Sequence, residues 1–447
     1  MDSKTAKTPK HVIILGAGAS ASSGYPVGND LRLWMSSPRS LRERIEVVLK
    51  KGVDADRLLI LQHFDEWIKP VEKALQLFRE GDFASVDEFC RLAGNRLENE
   101  VKQLKKVLRL ALSIHDPEDH YEQSDYYGFV QRLFQPNLVD LRDDVVVLSF
   151  NYDVYLEFLL RRAAGIRQEV TKGKSHTELD LLTSGFSNRN IQLIEGTDKF
   201  CLLKLHGAVA WPNAASVGSK RDDYCWYGDI LGSKASDRIR TLTSEEIGQS
   251  ESPIVFPWEI IGDEGHFRPE DEFPCRDSQC LASQLTGAYN GPTTQFQLFK
   301  SIWTRAKAEV FAANRISIVG LSLHEYLIPG LRFLLEGKSG DIELVVADKC
   351  LQGFAGERQN EAQFDLLTPV ARLDQLLRET CPDLRWNVQK GPSRVPIPPA
   401  KVEALVREPI VLHSSFEDFI LKELGTGTSY RGVVQIGNTV QRETLKE

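Results

Sequence analysis

Residues 11–26 read HVIILGAGASASSGYP, and the reading of this stretch decides the fold. Residues 12–15 are apolar and run straight into Gly16, Gly18 and a cluster of serines, the pattern of a buried strand entering a tight turn. Gly16 and Gly18 can take positive φ and let backbone N–H groups approach a pyrophosphate, and a following helix would add the positive end of its dipole. The same letters serve an ordinary strand-to-helix turn that binds nothing, so the rest of the chain must supply the context.

Beyond the turn, residues 30–35 continue as a first helix, and Pro38 punctuates the chain after it. Residues 41–114 read as helical. Ser85-Val86-Asp87-Glu88 is a capping box, and Leu97, Val101, Leu104, Leu108 and Leu112 recur at three- and four-residue spacing. Lys102, Lys105, Lys106 and Arg109 fall on that same predicted helix and read as a solvated face. Over 100 residues thus separate the first strand from the second, and residues 36–135 form a helical insertion that could carry oligomer contacts. His115-Asp-Pro-Glu-Asp-His120 gathers possible metal ligands but reads better as a proline-broken acidic loop.

Four more apolar runs end in chemistry-bearing residues. Residues 145–150 lead into Asn151-Tyr152-Asp153 and a helix over 154–164; residues 200–205 lead into His206-Gly207. Polar residues at the carboxyl ends of buried strands are where open α/β sheets place their ligands. Residues 316–319 run into Gly320-Leu321-Ser322, and residues 344–347 end in Asp348, an acid placed where an adenosine ribose could be held. Asp348 reads equally as a helix cap or turn residue. Residues 296–314 are amphipathic, with Phe296, Phe299, Trp303 and Ala306 on one side, and 254–257 read as a short strand. Residues 212–251 read as an irregular cover, 395–399 (VPIPP) as a boundary, and 425–447 as a loosely held polar tail.

The 447-residue chain is long enough for one large α/β domain with additions, and its 42% hydrophobic and 26% charged residues indicate neither disorder nor a membrane protein. A net charge of −8 argues against nucleic-acid binding through the whole surface. The opening MDSKTAKTPKH lacks the apolar core of a signal peptide, and no run of about 18 apolar residues occurs, so a cytoplasmic location without membrane contact is expected. Seven cysteines without repeated spacing suit free thiols; Cys275 and Cys280, the nearest pair, have no second pair to complete a zinc site, and no metal is expected.

Taken in order, GAGAS…SGYP, SFNYD, KLHG, IVGLS and VVAD, each closing a strand-like run, make the chain resemble the sirtuin-like family, specifically its divergent prokaryotic branch of NAD-consuming enzymes in anti-phage defence. The resemblance implies an α/β fold: a Rossmann-like, mostly parallel sheet of about six strands. A sirtuin-like catalytic domain would span residues 1–350, with a small C-terminal extension over 351–447. It implies that Gly16, Ala17, Gly18 and Ser20 line the pyrophosphate beside Pro26, that Asn151 faces the nicotinamide ribose and Asp153 the nicotinamide amide, and that His206 is catalytic. Gly320, Ser322 and Asp348 would hold the second phosphate and adenosine side. Val27-Gly28-Asn29-Asp30 follows Pro26 where deacylases of the family usually carry Asp-Phe-Arg, and their four-cysteine zinc module is missing. That module forms part of the acyl-lysine cleft.

The expected activity is therefore hydrolysis of NAD, as substrate, to nicotinamide and ADP-ribose. Cleaving the bond from ribose C1′ to nicotinamide releases a neutral leaving group, so the site needs a stabilised oxocarbenium-like centre and a placed water rather than a strong acid. Asn151 can fix the water or a ribose hydroxyl, and His206 can accept a proton. The same resemblance implies control by homo-oligomerisation or by a companion such as a HerA-type ATPase or an Argonaute, with nucleic acid engaged only indirectly. An NAD-dependent protein deacylase and a nucleotide-sensing subunit of a nucleic-acid-processing complex are the alternatives.

Overall fold

β1 (His11–Leu15) lies at the centre of a parallel sheet, with β2 (Val145–Ser149) on one edge and β4 (Arg315–Val319) on the other. Its side chains explain the position. Val12, Ile13, Ile14 and Leu15 are all completely buried, as a strand covered on both faces requires. In register, Val12 stands opposite Val146 and Ile316, and Leu15 opposite Ser149 and Val319, so the turns after three strands emerge at one level. The structure is a computed structural model describing residues 10–50, 54–80, 85–93, 97–115, 124–134, 141–160, 163, 201–209, 235–244, 254–256, 295–321, 327–347, 376, 384–387, 411–413, 420, 424, 433–436 and 439–442.

The body of the sheet runs β3-β2-β1-β4-β5, all parallel, with β3 at Cys201–Lys204 and β5 at Gly340–Ala347. Two short strands, β6 (Leu384–Asn387) and β7 (Val411–His413), share the outer edge of β5, one pairing with its first half and the other with its last. The protein is thus α/β, with five strands in the body and two at the edge against about six expected. The boundary placed at residue 350 does not coincide with the sheet's edge, because β6 and β7 lie beyond it. A separate antiparallel hairpin, β8 (Val433–Ile436) and β9 (Thr439–Arg442), occupies the stretch expected to be a loose tail. Gly437-Asn438 between them is a two-residue hairpin signal.

Between β1 and β2 the described residues are mainly helical, as expected. A 3₁₀ helix (Ala17–Ser23) follows the first turn, then α1 (Gly28–Met35), α2 (Pro38–Leu49), α3 (Asp54–Ile68), α4 (Glu72–Glu80), α5 (Val86–Ala93), α6 (Glu98–Ser113) and α7 (Asp125–Arg132). Ser85 caps α5 by accepting the amide of Glu88 at 3.1 Å, the serine half of the expected capping box. Val101, Leu104, Leu108 and Leu112 of α6 are buried, but so are Lys105 and Arg109, at 4% exposure each. The solvated basic face is therefore corrected. These two cations point inward, where Lys105 Nζ sits 4.9 Å above the Phe256 ring and Arg109 Nε donates to the Val209 carbonyl at 2.6 Å.

Residues 155–160 form α8, continuing from the second strand as expected. Two further expectations change. Within the region read as irregular, Ala235–Ser244 forms α9, burying Ala235, Ile239 and Leu242 and packing on α2, α3 and α6. Its apolar residues sit three and four apart, a period masked by polar neighbours. Ile254 makes a single antiparallel bridge to Gly207 in place of a strand. α10 (Gln295–Ala312) buries Phe299, Trp303, Ala306 and Val310, and α11 (Ile328–Leu335) packs against it. Among the described residues no helix is long and apolar enough to cross a membrane.

Candidate active site

The strand order reverses direction between β1 and β4: the chain leaves β1 for β2 and β3 on one side, then returns to β4 on the other. Such a reversal opens a crevice at the carboxyl ends of the strands, where open α/β sheets bind ligands. The glycines there act by close approach. Gly16 is extended, at φ −110°, and neither it nor Gly18 takes positive φ, contrary to expectation. A Cβ on Gly16 would stand 2.5 Å from the Gly320 carbonyl oxygen, and one on Gly18 would stand 2.9 Å from Gly320 Cα. Gly320 itself is left-handed, at φ +59°. The Gly16 amide donates to Val319 and the Gly18 amide to Gly320, at 2.9 and 2.8 Å, so both expected phosphate donors are engaged by the neighbouring turn. Ala17 and Gly18 are exposed at its rim, whereas Pro26 is buried.

Ser20, Asn151 and Asp153 form one buried relay. Ser20 Oγ donates to Asp153 Oδ2 at 2.8 Å, and Asn151 Nδ2 donates to Ser20 Oγ at 3.0 Å. A carboxylate only accepts, and a serine has one proton; Ser20 therefore gives that proton to Asp153 and can only accept from Asn151. The direction fixes the Asn151 amide, whose nitrogen also reaches Tyr126 Oη at 3.3 Å. Its carbonyl oxygen is buried and, among the described residues, has no hydrogen-bond partner. Asp153 Oδ1 accepts the Tyr155 amide at 3.0 Å and so caps α8, while its backbone carbonyl accepts from Lys204 Nζ. Its described bonds are thus internal: Asp153 organises Ser20 and the start of α8, and the Ser20 hydroxyl is engaged in the relay.

His206 stands at the tip of β3. Ser149 and Lys204 are register partners on β2 and β3, and Asn151 and His206 each lie two residues beyond that pair. Gly207, at φ +74°, lets the chain turn at once. The imidazole is 2% exposed, and among the described residues neither ring nitrogen makes a well-formed hydrogen bond, although the Phe150 backbone lies close enough to act on the ring. Aromatic rings hold it instead. Tyr152 stacks at 5.3 Å and 29°, Trp303 at 6.5 Å and 30°, and Phe150 presents its edge at 5.0 Å. Trp303 is anchored by its indole N–H to the Leu205 carbonyl at 3.0 Å. Burial, and secondly the Lys204 ammonium, push the His206 pKa down to about 3, overcoming the Phe150 backbone, which favours the charged form. The ring is therefore neutral near pH 7, the form that accepts a proton. Lys204 is itself buried against Glu157, 3.3 Å away, whose carboxyl pKa burial raises.

The insertion reaches this site, a contact that no local pattern announces. Tyr152 Oη donates to Asp87 Oδ1 on α5 at 2.7 Å; Tyr126 of α7 meets Asn151; Phe256 lies edge-on to Tyr152 at 6.0 Å. Asp87 was visible only as part of a cap, Tyr152 only as the middle letter of SFNYD, and Trp303 only as an apolar helix position. Gly16, Gly18 and Gly320 come together at one turn, and Ser20, Asn151 and Asp153 at the next, with His206 on the adjoining strand. Ser322 and Asp348 lie outside the described residues. Among the described residues no cluster of His, Cys, Asp and Glu is arranged to hold a metal ion. No family model matches this chain, and no curated protein matches it.

Proposed function

We propose that the protein is a sirtuin-like NAD glycohydrolase, releasing nicotinamide and ADP-ribose. The observation that carries the reading is a set of three buried polar atoms, Asn151 Oδ1 and the two ring nitrogens of His206, that make no well-formed hydrogen bond among the described residues and stand at the tips of adjacent parallel strands. Groups of this kind cost stability in an empty protein and are explained when a ligand or water completes them. The strand order β3-β2-β1-β4-β5-β6 also supports it, being the order of doubly wound dinucleotide-binding sheets, with the glycine turns at the reversal.

In this mechanism the C1′–nitrogen bond breaks with its electron pair leaving on nicotinamide, and a water oxygen bonds to C1′. Asn151 Oδ1, its direction set by Ser20 and Asp153, accepts a hydrogen bond from that water or from a ribose hydroxyl. His206 takes the water's proton. Positioned base catalysis contributes about 100- to 10,000-fold. The test is NAD consumption by the pure protein, with and without its native companions, beside Asn151→Ala and His206→Ala; equal turnover in folded variants refutes the assignment. Control by homo-oligomerisation or by a HerA-type ATPase or Argonaute partner belongs to the same proposal, and co-purification from the native source tests it. The depressed basicity of His206 favours a second reading, a module that binds the nucleotide without cleaving it. Calorimetric NAD binding by the activated complex, with no nicotinamide released, would establish that reading instead.

A further inference from the structure

We propose that Tyr152 is a gate over His206 and that Asp87, carried by the helical insertion, is the latch that holds the gate shut. The inference rests on the catalytic reading of the site for its consequence, but not for its geometry. His206 is enclosed at 2% exposure, with both ring nitrogens buried and, among the described residues, without a well-formed hydrogen bond. Burial at this level closes the ring off from the water it would deprotonate. Of the aromatic walls among the described residues, Phe150 and Trp303 are buried at 4% and 0% exposure and belong to the sheet and to α10. Tyr152 is the half-buried wall. It is also the wall tied to the insertion, through the 2.7 Å bond from its hydroxyl to Asp87.

Opening this wall brings water to the imidazole and removes the burial that depresses its basicity, so a single motion would expose the base and strengthen it. Asp87 sits in the first turn of α5, behind the Ser85 cap, on an element separated in sequence from Tyr152 by the whole of α6 and α7. Displacement of α5 by an activating contact on the insertion would therefore break the tie between the Tyr152 hydroxyl and the insertion without touching the sheet. The Asp87 carboxyl, raised to about 6 by burial, is ionised at neutral pH and accepts the tyrosine proton as a charged partner.

The experiment uses the full chain at pH 7 and diethyl pyrocarbonate, which acylates neutral imidazole where solvent reaches it. Carbethoxylation of each histidine is followed by peptide mass spectrometry in the wild type, Asp87→Ala and Tyr152→Phe. Losing a hydrogen bond to a charged group should speed modification of His206 by about 10- to 100-fold. His11, buried at the opposite end of β1 and 2.7 Å from Ser317 Oγ, should stay protected in all three. An unchanged His206 rate in the variants, or a parallel rise at His11 that reveals general loosening, overturns the gate. If Asp87→Ala does not fold, Tyr152→Phe, which keeps the ring and removes only the hydroxyl, decides. NAD turnover is read separately on the same samples: faster modification with faster turnover supports gate and hydrolase together, and faster modification with no turnover keeps the gate while refuting the hydrolase.

Discussion

Replacing Gly320 by alanine should be one of the most damaging single-methyl changes in the protein, and the structure separates its two causes. Gly320 and Gly337 are both left-handed, at φ +59° and +77°. Alanine at either position meets the left-handed penalty of about 1–2 kcal/mol. At Gly337 a new Cβ has nothing within 4 Å, so that penalty is the whole cost. At Gly320 the Cβ would lie 2.3 Å from the Ala19 nitrogen and 2.6 Å from the Gly18 carbonyl carbon. Both are backbone atoms of the facing turn, and the turn is pinned by the Gly18 amide on the Gly320 carbonyl. Overpacking of this kind adds about 1–3 kcal/mol or more. Gly320→Ala should therefore cost about 2–5 kcal/mol, a large share of the roughly 5–15 kcal/mol of a typical domain. Urea unfolding of both variants at 25 °C, compared through midpoint shifts at equal slope, measures the difference. If Gly320→Ala loses no more stability than Gly337→Ala, the tight contact between the β1 and β4 turns does not exist as described.

His206→Leu should leave the protein as stable as the wild type or up to about 1 kcal/mol more stable, because it removes a buried imidazole that makes no well-formed hydrogen bond among the described residues, while NAD turnover falls by about 100-fold or more. The pH dependence comes from the same ring. With the folded pKa near 3 and an ordinary value of 6.5, the unfolded chain binds a proton that the folded site refuses, so this contribution to stability is complete above pH 6.5 and is lost as pH falls towards 3. Asp87 acts in the opposite sense, since its raised pKa makes folding take up a proton between about 6 and 3.8. Thermal melts of wild type and His206→Leu between pH 3.5 and 7.5 should diverge as pH falls, and parallel curves would contradict the buried neutral state. Lys204→Met should cost about 3–5 kcal/mol, since it strands the Glu157 carboxyl and the Asp153 carbonyl, and adding Glu157→Leu should recover part of it. A double variant no more stable than the single one would show that the ion pair is not the source of the loss.

Much of the frame was legible along the chain. Apolar runs of four or five residues ended by glycine or polar letters located β1 to β5 because strands buried on both faces need continuous apolar side chains. α6 declared itself through Val101, Leu104 and Leu108. The basic residues of that helix misled for a physical reason: Lys105 and Arg109 have the spacing of a solvated stripe, and their burial depends on Phe256 and the Val209 carbonyl, 100 residues or more away in sequence. β6 and β7 escaped notice because three- and four-residue edge strands carry too little periodicity to stand out. The glycine turn was recognised for the right residues and the wrong property, since close approach to Gly320 is visible only once β1 and β4 are paired.

By itself the sequence determined the alternation of strands and helices, the helical insertion, and which letters would stand at strand tips, because local burial and turn chemistry are written in adjacent residues. Only the tertiary structure decided what those letters do. The parallel register puts Asn151 and His206 at the tips of neighbouring strands, the Ser20–Asp153 relay sets the direction of one amide, and an insertion helix brings Asp87 to Tyr152. These outcomes depend on burial and on hydrogen bonds between residues tens to hundreds of positions apart, and no local pattern encodes a partner at that distance.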